Sequence, residues 1–133
     1  MSTNRCVLDS FAVLALIQGE PGYARVRELL REAAQGTAEL HMSLINLAEV
    51  RYRIIRRGVD VQNRLSAVES LPIRAASADA YIDAVVDLKA AHPVSLGDCF
   101  AAALAIDLGC PVVTGDPEFR RLEGEVAIEW LGH

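Results

Sequence analysis

Four acids stand where a carboxylate can do chemistry: Asp9, Glu49, Asp98 and Asp116. The stretch VVTGDPEF, Val112 to Phe119, starts with a β-branched apolar run and reaches Asp116 just beyond it. Such a run suits a buried strand. RCVLD, Arg5 to Asp9, has the same design. If the two strands are neighbours, their axes lie about 4.8 Å apart and both carboxylates can reach one cation. Glu49 in LINLAEVRYRI and Asp98 in SLGDCFAAALA fall in helical patterns. Four carboxylates meeting in one pocket repel one another. Mg²⁺ relieves that repulsion, with Mn²⁺ able to substitute, because hard oxygen ligands suit hard cations.

Each acid, taken singly, also has a local reading. Asp116 before Pro117 suits a helix N-cap followed by proline at the first helical position. Ser95 and Asp98 have capping-box-like spacing. Glu49 and Arg53 are an i,i+4 pair. Asp9 can open the turn into Ser10. On a helical wheel Leu44, Leu47, Ala48, Ile54 and Ile55 centre the apolar arc, and Glu49 sits at its border. Arg51 falls inside that arc, where it either snorkels or pairs with an acid.

The elements that must position these acids alternate along the chain. Strands are expected at Arg5–Asp9, Glu39–Ser43, Pro72–Ser77, Cys110–Asp116 and Val126–Trp130. Helices are expected between them, one opened by Pro21 and closed by Gly36, another stopped by Pro93. Parallel strands need crossovers, and helices are the usual ones. The pattern predicts a three-layer α/β/α sandwich with a mostly parallel sheet of about five strands. In such folds sites lie beyond the carboxyl ends of the strands, where Asp9 and Asp116 fall.

Bulk properties narrow the class. The chain has 133 residues, which predicts a single domain over 1–133. It is 52% hydrophobic and only 5% aromatic, so the core must be aliphatic. The net charge of −5 argues against nucleic-acid binding by bulk charge alone. Cys6, Cys99 and Cys110 show no paired spacing, which fits a reducing compartment. The longest apolar run, Phe11–Ile17, is too short to span a membrane. A cytoplasmic protein without a membrane partner is expected.

Three blocks carry a family resemblance. VLDSFAVLALI resembles the opening of PIN domains, whose first strand ends in aspartate and a small polar residue. SLINLAEVRYRI resembles their glutamate-bearing helix. LGDCFAAALAIDLGCPVVTGDPEF resembles their third block, an aspartate opening an Ala-rich helix and then a strand ending T-x-D-x-x-F. The correspondence falls on Asp9, Glu49, Asp98, Thr114 and Asp116. Length and compactness look most like the VapC-type toxins of toxin–antitoxin pairs. The resemblance implies a Mg²⁺-dependent endoribonuclease that leaves a 5′-phosphate and a 3′-hydroxyl. It also implies a homodimer blocked by a small antitoxin with a basic segment. Some relatives carry a further acid or amide after the last aspartate. Here Pro117 and Glu118 follow, and Glu118 reads first as a helix-surface acid.

On this reading Asp9, Asp98 and Asp116 hold the metal directly or through water, and Glu49 holds a water on it or a second metal. Ser10 and Thr114 orient carboxylates, unless they make ordinary strand-end hydrogen bonds. Arg51, Arg53, Arg56, Arg57, Arg120 and Arg121 are candidate phosphate contacts, each also readable as a solvated basic face. Other classes fit less well. A haloacid-dehalogenase-like phosphatase needs an aspartate where Phe11 stands, and a receiver domain needs a lysine after its last strands, whereas Lys89 lies in a helix. A non-catalytic PIN-like module binding RNA or protein is the alternative, against which all four acids weigh.

Overall fold

The structure, a computed structural model, describes residues 4–132. Five strands form one sheet in the order β3-β2-β1-β4-β5, and every pairing is parallel. They are β1 (Asn4–Leu8), β2 (Ala38–Ser43), β3 (Arg74–Ala76), β4 (Val112–Thr114) and β5 (Ile128–Trp130). Between β1 and β2 run α1 (Ser10–Gln18) and α2 (Tyr23–Ala34). Between β2 and β3 run α3 (Leu44–Arg57) and α4 (Val61–Glu69), and between β3 and β4 run α5 (Ile82–Ala91) and α6 (Leu96–Leu108). Among the described residues no helix is long and apolar enough to cross a membrane.

Two apolar cores explain the layers. Val13, Val26, Leu29, Val50 and Ile54 of α1, α2 and α3 pack on Leu8, Leu40 and Met42 of the sheet. On the opposite face Val85 and Leu88 of α5 join Phe100 to Ala105 of α6 against Val7 and Val112. The run Ala101–Ala103 is buried, and its small side chains let α6 lie close over the central strands. The sandwich and its parallel sheet are those expected from the alternation of elements.

Boundaries moved where local chemistry overruled pattern. The helix expected to open at Pro21 begins at Tyr23. Pro21 and Gly22 form a turn instead, closed by the Tyr23 N–H donating to the Glu20 carbonyl at 3.0 Å. The short helix expected after β4 is a 3-10 helix, Pro117–Leu122. The strand expected over Pro72–Ser77 shortens to Arg74–Ala76, while β2 runs six residues.

The sheet has its switch point between β1 and β4. From β1 the chain first fills positions to one side, then crosses to β4 on the other. Crevices at such points, outside the carboxyl ends of the strands, are where ligands bind in open parallel sheets.

Candidate active site

Register decides how Asp9 meets the fourth strand. Leu8 pairs with Val113, so the next residues, Asp9 and Thr114, come level. The buried Thr114 hydroxyl donates to Asp9 Oδ2 at 2.5 Å and accepts from the Asp116 N–H at 3.0 Å. One side chain thus ties the acid after β1 to the acid after β4. Asp9 Oδ1 also accepts from the Ala12 N–H at 2.9 Å, which caps α1. Asp116 Oδ1 accepts from the Glu118 N–H at 3.0 Å and caps the 3-10 helix, with Pro117 behind it. Both acids therefore serve as caps and are also linked through Thr114, although the oxygens within 4.8 Å of one another belong to Asp98, Asp116 and Glu118 and not to Asp9. The two readings of the sequence are compatible, because each cap uses one carboxylate oxygen.

Asp98 arrives from the other layer. Ser95 caps α6, its hydroxyl accepting from the Asp98 N–H at 3.2 Å. That cap sets the first turn, and the Asp98 side chain turns inward until the residue is only 7% exposed. Its Oδ2 is buried with no hydrogen-bond partner. Oxygens of Asp98, Asp116 and Glu118 all lie within 4.8 Å of one another. The first-turn acid Glu118 is exposed on the helix surface, as expected, and its carboxylate also comes within reach of Asp98 and Asp116.

The protonation states follow from burial. Asp9, 1% exposed, is pushed up to about 7, chiefly by burial; Thr114 and Ala12 oppose the rise, and Asp116 and Glu49 add to it. Asp98 is also raised well above the ordinary carboxylate range, first by burial, then by the Asp116 charge. Crowded carboxylates with an unpartnered buried oxygen fit a divalent cation better than they fit a purely structural role.

Glu49 enters from α3. Among the described residues no ion pair joins it to Arg53. Asn46, one turn earlier and 1% exposed, donates through Nδ2 to Glu49 Oε1 at 2.8 Å and to the Gly97 carbonyl at 3.1 Å. This joins α3 to the start of α6. The missing side chain at Gly97 leaves room for this placement of Glu49: a Cβ there would sit 2.4 Å from Glu49 Oε1 and push it aside. Sequence reasoning missed Asn46, although its place three residues before Glu49 puts both on one helix face.

A family model described as "PIN domain" matches residues 6–125. The chain belongs to the PIN domain family. Among solved structures it is similar to the Rickettsia felis VapBC2 complex bound to a DNA fragment from its promoter, at 19% identity and a TM-score of 0.71, covering 96% of this chain and 99% of that one. It is similar to DNA-bound VapBC from Salmonella typhimurium at 23% identity and a TM-score of 0.71, covering 96% and 98%. Mycobacterium tuberculosis VapC20, a Sarcin-Ricin loop cleaving toxin, is similar at 18% identity and a TM-score of 0.69, covering 91% and 96%. These likenesses establish the fold. No curated protein sequence matches the chain.

In this PIN domain the acids border an open cleft of about 860 Å³, whose walls include Glu49, Asp98, Asp116 and Glu118. Ser10 lines it too, while Asp9 lies buried behind its surface. Of the six candidate arginines, Arg53, Arg56 and Arg57 line the cleft. The other three lie outside it. Arg51 borders a separate apolar groove with Leu44, Leu47 and Val68. Arg121 donates to the Pro93 carbonyl at 2.9 Å, bracing the loop before α6, and Arg120 is exposed. Two aromatic residues, Phe11 and Tyr52, also line the cleft.

Proposed function

We propose that this PIN domain, one nuclease unit over residues 1–133, is a divalent-metal-dependent endoribonuclease acting as the toxin of a toxin–antitoxin pair. The observation that carries the reading is the group Asp98, Asp116 and Glu118, with its oxygens within 4.8 Å and the buried Asp98 Oδ2 unpartnered. Those residues would hold Mg²⁺ or Mn²⁺, with Asp9 and Glu49 contributing charge from either side. A cation there supplies phosphate charge neutralisation and acidifies the attacking water.

The chain's own groups have separate tasks on this reading. Asp9, held by Thr114 and Ala12, would add negative charge beside a bound cation, and its raised carboxyl would have to be ionised for that. Asp98 does the same from α6. Asn46 holds one Glu49 oxygen and leaves the other as an acceptor for the water's proton. Arg53, Arg56 and Arg57 offset the negative cleft and draw in the phosphate backbone, which an acidic protein cannot do by net charge.

The toxin assignment is supported by the likeness to VapBC toxin–antitoxin structures. A small antitoxin would place a basic side chain against the acids, where opposite charge is concentrated. The same reading expects a cytoplasmic homodimer.

Incubating purified protein with total RNA tests the reading. Cleavage is expected with Mg²⁺ or Mn²⁺, and none with EDTA or in Asp98→Asn. Cleavage that persists in EDTA, or in Asp98→Asn at the full rate, sinks the metal-centre mechanism.

A further inference from the structure

Aromatic residues are scarce in this chain, at 5% of positions. Phe11 and Tyr52 nonetheless stand in the cleft with the acids, partly open to solvent at 37% and 44%. Phe11 is two residues past Asp9, in the first turn of α1. Its ring lies against the turn that delivers Asp116: a Cβ on Gly115 would stand 2.4 Å from Phe11 Cε1. The absence of a side chain at Gly115 lets the ring sit there, beside the carboxylates. Tyr52 follows Glu49 by three residues and precedes Arg56 by four, so Glu49, Tyr52, Arg53 and Arg56 share one face of α3. The Arg56 guanidinium lies 5.4 Å from the centre of the Tyr52 ring. That contact orients the ring and sets a positive charge next to it.

Acids, arginines and partly exposed aromatic rings in one cleft, with Arg56 over one side of the Tyr52 ring, match the three parts of a nucleotide chain. The acids take a metal beside the phosphate, the arginines take neighbouring phosphates, and a ring face takes a base. Only an unpaired base can offer its face to a side chain. Resting on the endoribonuclease reading, we propose that Phe11 and Tyr52 form a nucleobase-stacking subsite that holds an unpaired base next to the phosphate to be cut. The rings contact substrate without taking part in bond breaking, so they act on RNA affinity and positioning.

The test compares binding of two probes: an unstructured oligouridylate and a ribose-phosphate oligomer of equal length without bases. Fluorescence anisotropy is read with Ca²⁺ in place of Mg²⁺, for wild type, Tyr52→Ala, Tyr52→Phe and Phe11→Leu. Wild type is expected to prefer the oligouridylate by roughly 5- to 150-fold, the range that stacking of a base on an aromatic ring provides. Tyr52→Ala should lose most of that preference with little change in binding of the base-free oligomer. Tyr52→Phe should keep it, and Phe11→Leu should weaken it. Equal wild-type binding of both probes, or an undiminished preference in Tyr52→Ala and Phe11→Leu, overturns the subsite. Mg²⁺-dependent cleavage of total RNA is read in parallel. Cleavage without base preference removes the subsite and leaves the nuclease. Base preference dependent on Tyr52 without any cleavage removes the nuclease and leaves the subsite.

Discussion

The Thr114 hydroxyl donates to the Asp9 carboxylate at 2.5 Å, joining residues 105 positions apart in the chain. It accepts from the Asp116 N–H at the same time. Thr114→Val keeps the shape and removes both bonds. On the proposed metal centre, loss of such an orienting partner should weaken Mn²⁺ binding by about 10- to 100-fold. Thr114→Ser should retain it. Calorimetric titration with Mn²⁺ measures both, and equal affinities in wild type and the valine variant would show that Thr114 supports only the strand end.

Asn46 and Gly97 form the second support. Asn46→Ala leaves Glu49 without its donor and the Gly97 carbonyl without one of its partners, which should cost about 1–3 kcal/mol of stability. RNA cleavage should fall with it. Gly97→Ala should displace Glu49, since the added carbon meets Oε1. A Gly97→Ala protein that melts near wild type but cleaves poorly would assign the loss to Glu49's position. Full activity in both variants would remove Glu49 from the mechanism.

Metal-free stability should depend on pH with a definite sign. The Asp9 carboxyl is raised from 3.8 to about 7 on folding, and Asp98 is raised as well. Between the unfolded and folded values the native state binds more protons than the unfolded state. Stability from these groups is therefore fully present below about 3.8 and is lost as pH rises through about 7 for Asp9 and about 8 for Asp98. Asp9→Asn and Asp98→Asn, which cannot ionise, should melt about 3 °C or more above wild type in EDTA at pH 7.5. Mg²⁺ should raise the wild-type melting temperature more than that of either variant. Its affinity should increase as pH rises toward 7, because binding must expel the protons. Thermal unfolding at pH 5.5 and 7.5, with EDTA and with Mg²⁺, checks each point. Asn variants no more stable than wild type in EDTA would contradict a crowded acid site.

The arginines should divide by position. Arg53→Ala, Arg56→Ala and Arg57→Ala should each raise KM for RNA and flatten the salt dependence of binding. Arg51→Ala and Arg120→Ala, away from the cleft, should do so far less. Arg121→Ala should instead lower stability slightly, because it loses the bond to the Pro93 carbonyl. Anisotropy titrations over a range of salt concentrations separate these outcomes, and a uniform effect across all six would indicate a diffuse basic face.

Much of this architecture was legible in the chain itself. Asp9 and Asp116 could be placed past strands because a short β-branched run and the turn after it are local features. The caps at Ser95 and Asp116 are local too, since each bond spans two or three residues. The alternation of strands and helices carried the layered parallel fold for the same reason. The inner face of α3 was not local. Periodicity centred its apolar arc on Leu44, Leu47, Ala48, Ile54 and Ile55; Ile54 is buried as expected, but so are Asn46 and the flanking Val50, while Leu44 and Ile55 are exposed. A polar Asn46 reads as outward-facing in one dimension. It is stable inside only because Glu49 and the Gly97 carbonyl, brought across from α6, accept its hydrogen bonds. Glu118 in the acid group and Phe11 against Gly115 depend in the same way on partners distant in the chain. Periodicity relates the sides of one helix to each other, and tertiary packing decides which side finds a partner that offsets its burial.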